Sequence, residues 1–175
     1  WFKTKRGKQR VIIPSRTYVG VGMSILNAGH DIGFKDEDWS GEYRLDPFDL
    51  WDSARRLTSN CWQPGRLTCL SFHWTKHLAI GSGGAVLTSN AEAVDWLKRA
   101  RFDGRREGVH PRADTFDVLG YHAYMAPTTA AEGLTRLALL PKYNVDLPVS
   151  NYADLSTAPI FQQVTAESER LIIAA

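Results

Sequence analysis

The residues with the clearest chemical potential lie between Ser71 and Val86, in the sequence Ser-Phe-His-Trp-Thr-Lys followed by Gly-Ser-Gly-Gly-Ala-Val. A strand is predicted to end at the Ser71 hydroxyl, and Lys76 follows in a loop. A lysine held in a partly buried loop can lose its proton and become a nucleophilic amine. A hydroxyl and nearby backbone N–H groups can hold an anion such as phosphate. The alternative interpretation is a surface lysine beside a glycine-rich hairpin turn.

Asp52 is the second candidate, because it ends the apolar run from Phe48 to Trp51. A parallel strand would deliver this carboxylate to the ligand-binding edge of the sheet, where it could pair with a protonated ring nitrogen. The alternative is a helix N-cap, since Ser53-Ala54-Arg55 could begin a helix. Position alone favours the cap.

Two aromatic or imidazole patterns complete the set of candidates. Tyr18 follows the first predicted strand, where its ring could stack on a planar ligand or pack in the core. His73 and His77 have no glutamate between them and lie outside an obvious helix, so the sequence predicts no metal site there.

The elements that must position these residues alternate along the chain. Short apolar runs predict strands and 3.6-residue periodicity predicts helices. Alternation of the two predicts an α/β fold with a mainly parallel sheet covered by helices on both faces, in which ligands bind at the carboxyl ends of strands. Strands are predicted over 10–14, 31–36, 48–51, 67–72 and 85–88, and helices over 17–28, 90–102, 128–140 and 165–174.

Composition excludes several classes of protein. The 175 residues suffice for one packed core, and a net charge of +2 gives no signal for nucleic acid. No apolar stretch approaches the roughly 20 residues that span a bilayer, and no secretory leader is expected. Two cysteines, Cys61 and Cys69, lack metal-type spacing and a disulfide-rich context, which favours a reducing, cytoplasmic compartment.

Four stretches in this order resemble the DegT/StrS-type sugar aminotransferases, pyridoxal-phosphate enzymes with the aspartate-aminotransferase fold. The likeness covers roughly residues 10 to 140. The stretches are Val11–Val19, Asp49–Arg55, Ser71–Val86, and Leu119–Met125 together with Ala130–Leu134.

The resemblance implies a role for individual residues. Lys76 lies where the family forms its internal aldimine with the cofactor, and Asp52 lies where a carboxylate pairs with the pyridinium nitrogen. Ser71 matches a phosphate contact, and Tyr18 occupies the position that stacks on the pyridine ring.

Two positions depart from the family pattern. Arg55 stands where members usually have Gln or His near the cofactor's phenolic oxygen, and it adds a positive charge there. His122 stands where many members have an Asn that reaches a partner subunit's phosphate. Both side chains can still donate hydrogen bonds, so both are expected to bind the cofactor.

The resemblance implies that residues 1–140 are part of the large domain of a fold-type I pyridoxal-phosphate enzyme. The chain opens at Trp1 without the family's Gly-Thr phosphate loop, and 141–175 are expected to form a short irregular tail with a terminal helix in place of the small domain. The implied activity is amino transfer from glutamate to a nucleotide-linked keto-sugar by a homodimer. The alternative, motivated by the missing ends, Arg55 and His122, is a non-catalytic homologue that binds a cofactor or a protein.

Overall fold

A computed structural model describes residues 1–149 and 151–163 of the chain. Its helices are α1 (Phe2–Arg6), α2 (Val19–Asn27), α3 (Ala91–Arg101) and α4 (Pro127–Leu139). Its strands are β1 (Arg10–Pro14), β2 (Asp31–Lys35), β3 (Tyr43–Arg44), β4 (Leu50–Asp52), β5 (Leu67–Ser71) and β6 (Gly84–Leu87).

The strands form two small sheets. β1 and β2 pair in parallel, with Arg10 opposite Asp31 and Pro14 opposite Lys35. The other sheet has the order β3-β4-β5-β6, in which only the β4–β5 pair is parallel. The α/β class is confirmed, but the sheets are small and mixed where one mainly parallel sheet was predicted. Residues 45–49, between β3 and β4, are too few for the crossover that a parallel pair requires.

The predicted helices within the described residues are confirmed, with ends set by local chemistry. α2 ends before Gly29, whose φ of 75° is a left-handed conformation that glycine adopts without strain. α3 begins after Asn90, whose side-chain oxygen accepts a hydrogen bond from the backbone N–H of Ala93 at 2.9 Å. These caps fix where the flanking loops leave the helices.

The hydrophobic core joins the β1–β2 sheet to α2, to the segment around β3 and to residues beyond α4. Leu155 and Phe161 supply the contribution from beyond α4, and the Phe161 ring packs edge-on against Phe34 with centroids 5.4 Å apart. A side chain at Gly22 of α2 would meet the Phe161 ring at 2.7 Å, so the helix and the ring are in close contact. The buried residues of this core are Val11, Ile13, Ile25, Ile32, Tyr43, Leu45, Phe48, Leu155 and Phe161.

The chain beyond α4 returns to the body of the protein. Residues 141–149 contain neither helix nor strand, Leu155–Thr157 form a 3-10 helix, and 159–163 are helical. The Leu155 N–H donates to the Ser15 carbonyl at 2.9 Å, which ties this segment to the end of β1. The helix predicted over 165–174 lies outside the described residues. None of the helices within the described residues has the length and apolar character needed to cross a bilayer.

Candidate functional site

Lys76 lies in the loop that joins the antiparallel strands β5 and β6, as the sequence predicted. The Phe72 N–H donates to the Gly83 carbonyl at 2.9 Å, and the Ile80 N–H donates to the Phe72 carbonyl at 3.1 Å. A Cβ at Gly84 would lie 2.2 Å from the Leu70 carbonyl oxygen, so only glycine permits this close strand pairing. The glycine-rich turn therefore has a structural role, because it lets β5 and β6 pair closely at the base of the lysine loop.

Helix α4 holds the far side of this loop. Leu78 and Ile80 are buried, and the Cδ1 of Ile80 lies 3.2 Å from the position of a Cβ at Gly133. Arg136 donates a hydrogen bond to the Ala79 carbonyl at 2.7 Å. The Lys76 backbone is therefore anchored from both the sheet and the helix.

The Lys76 amine has an unusual electrostatic environment. Burial lowers the pKa of Lys76, and the positive charge of Arg55 lowers it further. Tyr152 and the carboxylate of Asp52 act in the opposite direction, without reversing the shift. Within the described part of the chain, the Lys76 side chain makes no hydrogen bond or ion pair. A lowered pKa and a free amine are the properties that a nucleophilic lysine requires.

Asp52 ends β4, but no helix follows it, so the N-cap interpretation is wrong. Its Oδ1 accepts from the Ala54 N–H at 2.9 Å, which closes a turn over residues 52–54. Its Oδ2 accepts from the Tyr43 hydroxyl at 2.9 Å. Each carboxylate oxygen keeps a free lone pair that can accept a further donor. Asp52 also faces Cys69 across the β4–β5 pair, where burial and the Asp52 charge raise the pKa of the Cys69 thiol to about 12.

A chain of two hydrogen bonds, between Thr17 and Tyr43 and between Tyr43 and Asp52, fixes the orientation of the Asp52 carboxylate. The Tyr43 ring is buried, and its oxygen lies 2.8 Å from the Thr17 Oγ1. Because the phenol has one hydrogen and donates it to Asp52, Thr17 must donate to Tyr43. Burial and the Asp52 charge raise the pKa of Tyr43, so its hydroxyl stays protonated and remains a donor. We call these two hydrogen bonds the Thr17–Tyr43–Asp52 relay; it connects the loop after β1 to the end of β4.

We expect Tyr43→Phe to lower the free energy of unfolding by about 1–3 kcal/mol, because it deprives Thr17 and the Asp52 carboxylate of their shared partner. Urea unfolding monitored by fluorescence measures this loss. Tyr121→Phe is the matched control, since Tyr121 is exposed and should change stability little. Equal stabilities of the two variants would contradict the relay.

Arg55 and Tyr152 complete the surroundings of Lys76. The Arg55 guanidinium donates to the Tyr152 hydroxyl at 3.1 Å and also to the Pro148 carbonyl. Its central carbon lies 5.5 Å from the Tyr152 ring centroid, which is a cation–π distance. We call Asp52, Arg55, Lys76 and Tyr152 the Lys76 site.

The other residues that the sequence predicted to bind the cofactor are Ser71, Tyr18 and His122. Ser71 is the last residue of β5, and its Oγ lies 3.4 Å from the His73 backbone nitrogen. Tyr18 adjoins the relay through Thr17, but its own ring is 62% exposed. His122 is paired with Asp103 at 3.2 Å on an exposed surface, and no described contact joins it to Lys76 or Asp52.

The two histidines beside Lys76 have separate partners. His73 Nδ1 lies 2.9 Å from the Thr75 hydroxyl, whereas His77 Nε2 lies 2.9 Å from the Val145 carbonyl oxygen. Over residues 1–149 and 151–163, no group of three or more His, Cys, Asp or Glu side chains is arranged to hold a metal ion.

Sequence reasoning missed Tyr43 and Tyr152. The polar stretch containing Trp39, Gly41 and Tyr43 carried no strand periodicity, because β3 has only two residues. Tyr152 lies in a stretch rich in Pro, Asn and Ser, which gives no sign that the chain returns to the site. The aromatic side chain of Tyr152 was itself the signal for this return, because an aromatic residue in an otherwise polar segment needs a surface on which to pack.

Known proteins resemble this chain in sequence and in fold. Residues 61–146 match the model of the DegT/DnrJ/EryC1/StrS aminotransferase family, a range that includes Ser71, Lys76 and His122. A search of curated proteins found no match.

A solved structure from Bacillus cereus, assigned as a pyridoxal-phosphate (PLP)-dependent aminotransferase, superposes with a TM-score of 0.61 at 17% identity. The match covers 76% of this chain but 47% of that one, so this chain spans less than half of its length. At that identity the likeness shows the fold alone. The family match and the fold together confirm that this chain resembles the DegT/DnrJ/EryC1/StrS aminotransferases, within the α/β fold of PLP-dependent aminotransferases.

Proposed function

We propose that this chain carries the lysine and the carboxylate of a PLP-dependent aminotransferase site. The observation that carries this proposal is the amine of Lys76, whose pKa is lowered by burial and by Arg55 beside the carboxylate of Asp52. A lowered pKa increases the neutral form of the amine at a given pH, and the neutral amine is the form that attacks an aldehyde carbon.

The residues present fit the cofactor by their chemistry. Lys76 offers a free amine to the aldehyde, and Asp52 has acceptor capacity left for a protonated ring nitrogen. By resemblance, we propose that Ser71 contacts the phosphate, that Tyr18 stacks on the ring and that Arg55 donates to the cofactor. His122 would donate to the cofactor phosphate held by a partner subunit. When bound, PLP supplies an electron sink for charge that develops at the substrate's Cα.

The chain's own groups then have distinct tasks. Lys76 Nζ, when it is not attached covalently, can take a proton from substrate and return it, and its lowered pKa favours the neutral amine that accepts the proton. Two hydrogen bonds, one from the Tyr43 hydroxyl and one from the Ala54 backbone N–H, fix the orientation of the Asp52 carboxylate. A fixed carboxylate stabilises a positive ring nitrogen without reorganising during the reaction.

The finer assignments rest on the resemblance. We propose glutamate as the amino donor and a nucleotide-linked keto-sugar as the acceptor, supported by the family match over 61–146. We propose a homodimer as the working form. We also propose that residues 1–140 are part of the large domain and that 141–175 are its tail. Free thiols at Cys61 and Cys69 support a cytoplasmic location.

The direct test is to mix the protein with stoichiometric PLP, reduce with borohydride, and map the adduct by peptide mass. We expect one dominant adduct, on Lys76. An adduct distributed evenly over exposed lysines of the folded protein would refute the proposal. Conversion of glutamate to 2-oxoglutarate with a keto-sugar acceptor then distinguishes an enzyme from a homologue that only binds the cofactor.

A further inference from the structure

His77, the residue after Lys76, reaches out of the lysine loop to a distant part of the chain. Its ring nitrogen Nε2 lies 2.9 Å from the Val145 carbonyl oxygen. Because a carbonyl can only accept, Nε2 must carry the hydrogen and donate it. Within residues 1–149 and 151–163, this is the one hydrogen bond that joins residues 73–78 to a segment outside the β5–β6 hairpin.

The chain that contains Val145 is itself fixed to the residues that follow β4. We call residues 142–148 the returning segment. Arg56 donates two hydrogen bonds to Asp146, of 2.9 and 2.5 Å, and the Asn144 side chain donates to the Leu57 carbonyl at 2.9 Å. The hydrogen bond from Arg56 lowers the pKa of Asp146, so this carboxylate stays charged and the contact persists at neutral pH.

The returning segment meets the lysine loop through its backbone. The side chains of Tyr143 and Val145 are 76% and 88% exposed, so they contribute little packing. The Val145 carbonyl lies one residue from the Arg56–Asp146 contact and has its position set by that contact. His77 therefore donates to an acceptor that is held independently of the lysine loop.

We propose that His77 is a positioning residue, whose ring N–H binds the fixed Val145 carbonyl and thereby holds the neighbouring Lys76 in place. Lys76 then lies between two attachments, because its own N–H donates to the His73 carbonyl at 2.8 Å. The inference deepens the proposed function and rests on the role given there to Lys76. A lysine that attacks an aldehyde reacts fastest when its loop holds it within reach of that carbon.

The first test measures the tether without any cofactor, by amide hydrogen exchange followed by NMR. We expect His77→Leu to speed exchange of the Lys76 amide about three- to tenfold, the effect of one lost hydrogen bond. The Ile12 amide, which donates to the Asp46 carbonyl at 2.8 Å, reports opening of the whole fold. Its exchange should stay within about twofold of that in the original protein.

Three further variants separate the hydrogen bond from the bulk of the ring. His77→Gln places an amide N–H near the position of Nε2 and should restore slow exchange at Lys76. His77→Asn is one carbon shorter, cannot reach Val145, and should exchange as His77→Leu does. His110→Leu is the control, since His110 is exposed and its ring accepts within its own turn, from the Arg112 N–H at 3.2 Å.

The second test asks whether the tether serves the amine of Lys76. With stoichiometric PLP and borohydride, we expect the initial rate of adduct formation on Lys76 to fall about threefold or more in His77→Leu. His77→Gln should recover most of the original rate. A side chain that only stabilised the fold would leave this rate unchanged in the folded variant.

Unchanged Lys76 exchange in His77→Leu would overturn the proposal. Equal exchange in His77→Gln and His77→Asn would also overturn it, and this comparison decides if His77→Leu does not fold. Faster exchange with an unchanged adduct rate would overturn the positioning role. If the original protein forms no adduct on Lys76, the proposed function fails, whereas the exchange rates, measured without PLP, still decide whether His77 holds the loop.

Discussion

Lys76→Ala should abolish the borohydride-stable PLP adduct and the visible absorbance that accompanies it. The reason is that, among the lysines of the described residues, Lys76 is the one in a loop near Asp52 with a pKa lowered by burial and by Arg55. We expect complete loss of the adduct at this position and at most trace labelling elsewhere at stoichiometric PLP. Absorbance spectra and peptide mass mapping measure the two quantities.

Matched variants make this result interpretable. Lys76→Arg keeps a positive charge in the loop but cannot form the covalent bond, and it should behave like Lys76→Ala. Lys98→Ala removes an exposed lysine of α3 and should leave the adduct intact. Retention of full adduct by the folded Lys76→Ala protein would show that another amine serves and would refute the assignment.

Phe161→Ala should lower the free energy of unfolding by about 3–5 kcal/mol, since it removes a buried ring and leaves a cavity. The ring is 1% exposed and packs against Phe34 and close to Gly22. Such a loss is a large fraction of the stability of an ordinary domain. Urea or thermal unfolding monitored by circular dichroism gives the difference.

The adjacent Ile160 provides the control for this prediction. Its side chain is 43% exposed, so Ile160→Ala should cost roughly 1 kcal/mol or less. A similar loss in the two variants would mean that the segment contributes only through its backbone. A loss confined to Phe161→Ala would show that the region after α4 completes the core.

Local patterns in the sequence were sufficient for the elements that position the lysine. The apolar run 67–72 and the turn residues Gly83 and Gly84 predict a strand, a loop and a second strand, and the structure has all three. The same patterns could not give the sheet pairing. Whether two short strands pair in parallel depends on long-range contacts that periodicity does not encode.

The residues of the candidate site also divide into those that local sequence patterns identify and those that depend on tertiary contacts. Lys76 and Asp52 were found because each follows a strand, and the structure places them where their charges interact. Tyr43 and Tyr152 were missed because they come from a two-residue strand and from a segment without regular structure. Position alone favoured an N-cap at Asp52, because Ser53-Ala54-Arg55 could begin a helix, but no helix follows Asp52 and its Oδ2 accepts a hydrogen bond from Tyr43 instead.

The burial of Phe161 has a consequence for biosynthesis. β1 and β2 leave the ribosome before the ring that packs against Phe34, which follows more than a hundred residues later in the chain. Contacts of such sequence separation form slowly, and until then the apolar surface of the early sheet stays exposed to solvent. We therefore expect the nascent chain to depend on chaperone protection until residues near 161 have emerged.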